Sequence, residues 1–384
     1  MSRVGAHWLA LTMTAVLGAA GPSQADEPLF APPAFANAVQ TDTAGTDADR
    51  SPPLDQNGDE PRGYRAGDAP APPEPLPGDG ESSPGGPVAN QLWLINTRRL
   101  PRTGRQHGKE PAPQIDRYDA NGKWSRVTLA ELNAAFDPRL ATVLLVHGNH
   151  TEEQTAISKG LAAYRALTAP TPDARPVRLL IWSWPTDFIP GGVRRDARVK
   201  AEWAEDESYY LARFVTGLDP RESVTLVGYS FGARAISGAL HLLGGGKLDD
   251  RQLAKVEMGD RAPLRAVLLA AAVDDDWLLP GHRHGRALTA VERMVVTVNP
   301  QDRVLRWYRF LVPRSHATAL GSHGVANRAA LGRQAPKLVQ LNAHQAVGGQ
   351  HGWSSYIGSP EVVAQLRREM VASSSRRHRT ASRP

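Results

Sequence analysis

The sequence predicts an α/β fold, a mostly parallel sheet flanked by helices, and two observations predict it. Short apolar runs of strand length alternate with longer stretches of helical spacing through residues 91–370, and strands alternating with helices make βα units with parallel pairing. The second observation is Gly228-Tyr229-Ser230-Phe231-Gly232, which follows an apolar run and opens a helix-like stretch. A strand, a sharp turn carrying serine and a helix form the context in which G-x-S-x-G becomes a nucleophile elbow. Taken alone the pattern is weak, so its flanks carry the case.

The elements follow in order. QLWLIN at 91–96 reads as a first strand, and 124–128 as a second. The run ATVLLV at 141–146 reads as a strand buried on both faces and ends in His147-Gly148-Asn149. Residues 152–167 have helical spacing, with Ile157, Leu161, Tyr164 and Leu167 on one side, and 177–182 give another buried strand. A long amphipathic helix spans 194–217, where Gly217 stops it. Next come a strand at 223–227, the elbow, and a helix over 231–243 that ends at Gly244-Gly245-Gly246. Strands at 264–271, 294–299 and 337–341 complete the body. In sheets of this kind ligands sit beyond the carboxyl ends of the strands.

The ends differ from the body. Residues 1–25 read as a secretory signal peptide: Arg3, an apolar stretch from Leu9 to Ala20, then Ser23-Gln24-Ala25. That stretch is short of the roughly 20 residues needed to cross a bilayer, so the expected location is secreted or periplasmic. Residues 26–90 carry 12 acidic and 3 basic side chains among many Pro, Gly and Ala. Too little apolar surface is available there to offset ordering entropy, so a disordered acidic linker is expected. With the whole chain at +6, the body is strongly basic, which suits an anionic surface such as an acidic polymer or lipid headgroups. A basic disordered tail is expected over 371–384; without interleaved aromatics it is no sign of specific nucleic-acid binding. No cysteine occurs, which excludes disulfides, thiolate zinc sites and a cysteine nucleophile.

A serine hydroxyl needs a base, and the base needs an acid to hold its tautomer. Asp302 follows the 294–299 strand and is the candidate acid, with Asp274-Asp275-Asp276 as the rival run. His351 follows the last strand and is the candidate base; His344, His316 and His323 are the alternatives. An oxyanion needs two donors: the backbone N–H of Phe231, at the start of a helix, and that of Asn149, where Gly148 permits close approach. His147 reads as a structural hydrogen-bonder, and Trp182 and Trp184 as packing residues. His282-Arg283-His284 beside the Asp274 run fits no common ligand spacing, and Arg283 would repel a cation, so no metal and no cofactor are expected. The short connection after residue 271 leaves little room for a large lid, so an open site is expected, partly shielded by 186–200.

With strand, His-Gly turn, elbow, late Asp and late His in that order, the body resembles the α/β-hydrolase superfamily. It is most similar to a bacterial esterase/lipase-like branch of unknown function. The matching residues are Thr97-Arg98-Arg99, Val146-His147-Gly148, Ser183-Trp184-Pro185, the elbow at Ser230, Asp302 with Leu305, and His351 ahead of Tyr356. Two departures stand out: Tyr229 and Phe231 flank the serine where that branch has His and Met, and Gly352-Trp353 separate His351 from Ser354-Ser355-Tyr356. The resemblance implies a Ser230-His351-Asp302 triad that cleaves small-molecule or lipid esters, without naming a substrate. Two other readings share these residues: a silent hydrolase fold that binds anionic envelope material, and an acyltransferase.

Overall fold

A computed structural model describes residues 88–102, 112–172, 174–254, 261–312 and 317–375. All of them fall in one compact unit, Pro52–Pro384; the other unit, Met1–Ser51, and with it the expected signal peptide, lies outside the described residues. So do most of the linker stretch and the tail from Arg376.

Nine strands form one sheet: β1 (Gln91–Asn96), β2 (Gln114–Tyr118), β3 (Trp124–Val127), β4 (Ala141–Val146), β5 (Val177–Ser183), β6 (Val224–Tyr229), β7 (Leu264–Leu269), β8 (Arg293–Val298) and β9 (Leu338–Asn342). Their order is β3-β2-β1-β5-β4-β6-β7-β8-β9. From β1 to β9 every neighbouring pair is parallel, and only the β1–β2 and β2–β3 pairs are antiparallel. The helices are α1 (Leu129–Ala134), α2 (Glu153–Thr168), α3 (Val193–Gly217), α4 (Phe231–Leu243), four short ones, α5 (Tyr308–Leu311), α6 (Leu320–His323), α7 (His344–Val347) and α8 (Trp353–Ile357), and the final α9 (Pro360–Ser375). Every residue of β4, β5, β6 and β7 is buried. That matches their mainly apolar sequences, since a central parallel strand is covered by helices on both faces. Here α3 and α4 pack together on one side, and α2 and α9 on the other. The architecture is therefore an α/β fold with a mostly parallel sheet.

Several expected bounds are corrected. The strand before the elbow runs on to Tyr229, one residue short of the serine. The next ends at Leu269 because Ala270 has φ 44°, a left-handed geometry that leaves the extended path. The last helix reaches Ser375, into the stretch read as tail. β2 was not expected at all: its Asp116 and Arg117 break the apolar pattern. The structure pairs Asp116 directly with Arg126 of β3, Oδ1 to Nε at 2.7 Å, so the polar residue that hides the strand also sets its cross-strand partner.

Candidate active site

Ser230 lies between β6 and α4 with φ 54° and ψ −118°, a strained geometry for a residue with a side chain. Three backbone hydrogen bonds hold it: its N–H donates to Leu269 O (3.0 Å), and its carbonyl accepts from Ala233 N (3.0 Å) and Ala272 N (3.3 Å). The flanking glycines are sterically demanded. A Cβ at Gly228 would meet backbone of Ala233 at 2.7 Å, and one at Gly232 would come within 2.2 Å of the Val146 carbonyl oxygen.

The structure brings Asp302 and His351 to this serine. Ser230 Oγ is 3.1 Å from His351 Nε2, and Asp302 Oδ2 is 2.8 Å from His351 Nδ1. A carboxylate only accepts, so Nδ1 carries the proton and Nε2 is left to accept from the serine hydroxyl. Asp302 cannot swing away: Oδ1 accepts from the backbone N–H groups of Val304 and Leu305, each at 2.9 Å. The loop that carries the acid is tied to the loop that carries the base, since Asn299 Nδ2 donates to Gly348 O (2.8 Å) and Arg303 N to Gly349 O (3.3 Å). From the serine side, the Tyr229 hydroxyl donates to the carbonyl of His351 itself. The serine and the histidine are 121 residues apart in sequence.

Tyr229 is a positioning residue that sequence reasoning missed. It sits within the five-residue motif, but only the glycines there announce a steric need. Its ring also lies 5.5 Å from that of Trp353. This explains the inserted Gly352-Trp353: the glycine precedes α8 and the tryptophan opens it, buried against the elbow.

The turn at 147–149 approaches from the other side. A Cβ on Gly148 would lie 3.0 Å from Ser230 Cβ, so the turn packs directly on the candidate nucleophile. Asn149, whose backbone N–H is a candidate oxyanion donor, is held by its side chain, Nδ2 donating to Asp196 Oδ2 at 2.7 Å. Asp196 also faces His150 Nε2 at 2.8 Å and accepts from Ile189 N at 2.9 Å. Burial pushes its carboxyl up, but these hydrogen bonds outweigh burial and hold it below the usual carboxylate range. Phe231, the other candidate donor, is the first residue of the 13-residue α4, where backbone N–H groups have no intrahelical partner. His147 is buried, stacks on Trp184, and accepts from Trp184 N at Nε2 (3.2 Å). Burial drives its pKa well down, so it stays neutral. Trp182 and Trp184 are both fully buried.

The open site expected from the sequence is corrected. Ser230 is only 7% exposed and His351 3%, with the Gly148 turn packed against Ser230 Cβ and the Tyr229 ring. The rivals are placed elsewhere: His344 opens α7 with its N–H on Asn342 Oδ1, His323 is exposed at the end of α6, and His316 lies outside the described residues. Asp275 accepts from Thr318 Oγ1, and Asp276 faces His282 Nδ1 at 3.1 Å.

Asp274 belongs to a buried network that braces α4 one turn beyond the serine. Tyr308 OH donates to Asp274 Oδ1 (2.5 Å), Arg234 Nη1 donates to Tyr308 OH (3.1 Å), and Arg234 Nε to Glu205 Oε1 (3.2 Å). His284 and Arg283 close on Glu205 Oε2 at 3.4 and 3.3 Å. Burial pushes the Glu205 carboxyl up, but His284, Arg234 and Arg283 together outweigh it and hold its pKa at about 2. The folded pKa is depressed, so the stability Glu205 contributes is present above its unfolded value near 4.5 and lost as pH falls towards about 2. Glu205→Gln is expected to cost about 3–5 kcal/mol at neutral pH by urea unfolding, as when a buried ion pair loses one partner. The gap to wild type should close over that acid window.

No protein-family profile matches the chain, and no curated protein does either. Among solved structures it is similar to an esterase B from Lactobacillus rhamnosis, described as inhibited with a tributyrin phosphonate, at 11% identity and a TM-score of 0.35, over 76% of this chain and 89% of that one. It is also similar to a lipase-esterase related protein from Clostridium acetobutylicum, at 12% identity and a TM-score of 0.30, over 60% of this chain and 96% of that one. In its own topology, with a strained serine between a central parallel strand and a helix and an aspartate and a histidine arriving after later strands, the fold is hydrolase-like.

Proposed function

We propose that this protein is an exported serine hydrolase that cleaves carboxylic esters through an acyl-enzyme intermediate. One observation carries the reading: a strained, nearly buried serine within hydrogen-bond reach of an imidazole whose other nitrogen is held by a fixed carboxylate. Ser230 Oγ attacks the ester carbonyl carbon while His351 Nε2 takes its proton, and Asp302 stabilises the imidazolium. The backbone N–H groups of Phe231 and Asn149 donate to the oxyanion of the tetrahedral intermediate. Its collapse breaks the bond to the alcohol, which leaves with the proton from His351. Water then attacks the acyl-serine, gives a proton to Nε2, and the acid departs as the proton returns to Ser230.

The choice of small-molecule or lipid esters rests on the esterase/lipase-like resemblance of the motifs, and export on the signal-like residues 1–25. The test is a fluorophosphonate probe on the full-length chain, with the adduct mapped by mass spectrometry and ester hydrolysis followed over a range of acyl lengths. An adduct on Ser230 with turnover of at least one ester is expected. A folded chain that takes up no probe would overturn the reading.

A further inference from the structure

The described residues expose three large apolar side chains, and all three stand beyond the carboxyl ends of the parallel strands, on the edge of the sheet that carries Ser230. Phe188 (46% exposed) follows β5; Trp307 (39%) and Phe310 (41%) follow β8. The two segments are fastened to each other, since Arg194 Nε at the start of α3 donates to the Phe310 carbonyl at 3.2 Å. Lys200 Nζ holds the first segment by donating to Asp187 O at 2.6 Å. The Trp307 and Phe310 rings lie 5.6 Å apart, and Phe188 rests 5.6 Å from the His150 ring beside the candidate oxyanion turn.

Around these rings stand exposed arginines: Arg194, Arg195 and Arg198 on α3, and Arg303, Arg306 and Arg309 around the other segment. Within residues 186–200 and 303–312 the one exposed carboxylate is Asp187, and Arg98 engages it at 2.8 Å. Aromatic rings with apolar bodies settle at the boundary between headgroups and acyl chains. Guanidinium forks match phosphate oxygens, and basic side chains are drawn to an anionic leaflet.

We propose that this face docks on a bilayer that contains anionic phospholipid, with the sheet edge that carries Ser230 turned towards it. The proposal rests on surface chemistry and stands whether or not the serine is catalytic. A second copy of the chain fits poorly, because a two-fold contact through this face would set the arginines against themselves. The acidic residues 26–87 have the opposite charge, but they join the described chain at Val88, ahead of β1, and so at the amino-terminal edge of the sheet.

The test is co-sedimentation of the full-length chain with vesicles of phosphatidylcholine mixed with phosphatidylglycerol, and of phosphatidylcholine alone. Three variants are compared: Phe188→Ser/Trp307→Ser/Phe310→Ser, Arg306→Gln/Arg309→Gln, and a tail control, Arg376→Gln/Arg377→Gln/Arg379→Gln. All altered face residues are exposed, so circular dichroism should be unchanged. Wild type and the tail control are expected to bind the mixed vesicles and not the neutral ones. The ring and arginine variants should each lose about tenfold or more in apparent affinity. The proposal is overturned if wild type does not bind or binds both vesicles equally. It also fails if only the tail variant loses binding, or if the ring variant binds as wild type does, which would mark a general polyanion contact.

Discussion

Ser230→Ala should abolish ester turnover, with a fall in kcat of about 10⁶-fold, and His351→Ala should fall about as far, because residues that act as one unit lose nearly everything when either is removed. Asp302→Asn is expected to lose about 10⁴-fold, since an amide facing Nδ1 favours the wrong tautomer of His351. Steady-state kinetics on the best ester found by profiling, with circular dichroism and thermal melts on each variant, would check this. Ser230→Ala should keep the fold, because the backbone bonds at the turn do not involve the hydroxyl. The double variant Ser230→Ala/His351→Ala should be scarcely slower than either single one. If the two losses multiply instead, the serine and the histidine are not working on one proton, and the mechanism proposed is wrong.

Gly232→Ala should be among the most damaging glycine substitutions of the described residues. The added carbon would lie 2.2 Å from the Val146 carbonyl oxygen and 2.6 Å from that of His147. Both are backbone atoms of β4 and the turn after it, so nothing can rotate out of the way. Relief requires α4 or the turn to move, and a cost of about 3 kcal/mol or more is expected in urea unfolding, at the upper end for overpacking. Activity should vanish with it, because the same shift moves the Gly148 turn that packs on the serine. The control is Gly281→Ala. That glycine has a positive φ, 84°, which Gly232 inside α4 does not, and a Cβ there meets nothing within 4 Å. Only the left-handed backbone penalises it, by about 1–2 kcal/mol. A cost at Gly232 no greater than at Gly281 would show that the collision with the Val146 carbonyl is relieved by a small shift and is not what the elbow glycine avoids.

The centre of the sheet was legible because buried parallel strands are written as mainly apolar runs; 141–146 and 231–243 coincide with β4 and α4. The candidate acid and base were chosen from their position after successive strands, and the structure sets both beside Ser230. What could not be read depends on contacts between distant residues. Nothing near His351 in sequence says that a tyrosine 122 residues away grips its carbonyl, or that Trp353 belongs beside that tyrosine. Asp196 reads as one more acidic residue on an amphipathic helix, and its hold on Asn149 and His150 appears only in three dimensions. The open site failed for the same reason: how closely the Gly148 turn approaches is a matter of packing, and a glycine licenses approach without saying how near.

Because serine and imidazole are so far apart along the chain, the ribosome must add 121 more residues after Ser230 before the candidate base exists. A nascent polypeptide can therefore complete β6 and α4 and still hold an inert alcohol. On the mechanism proposed, translation that stops between β9 and position 351 would leave the whole sheet and no centre, so activity in a cell would report chains that had passed that point.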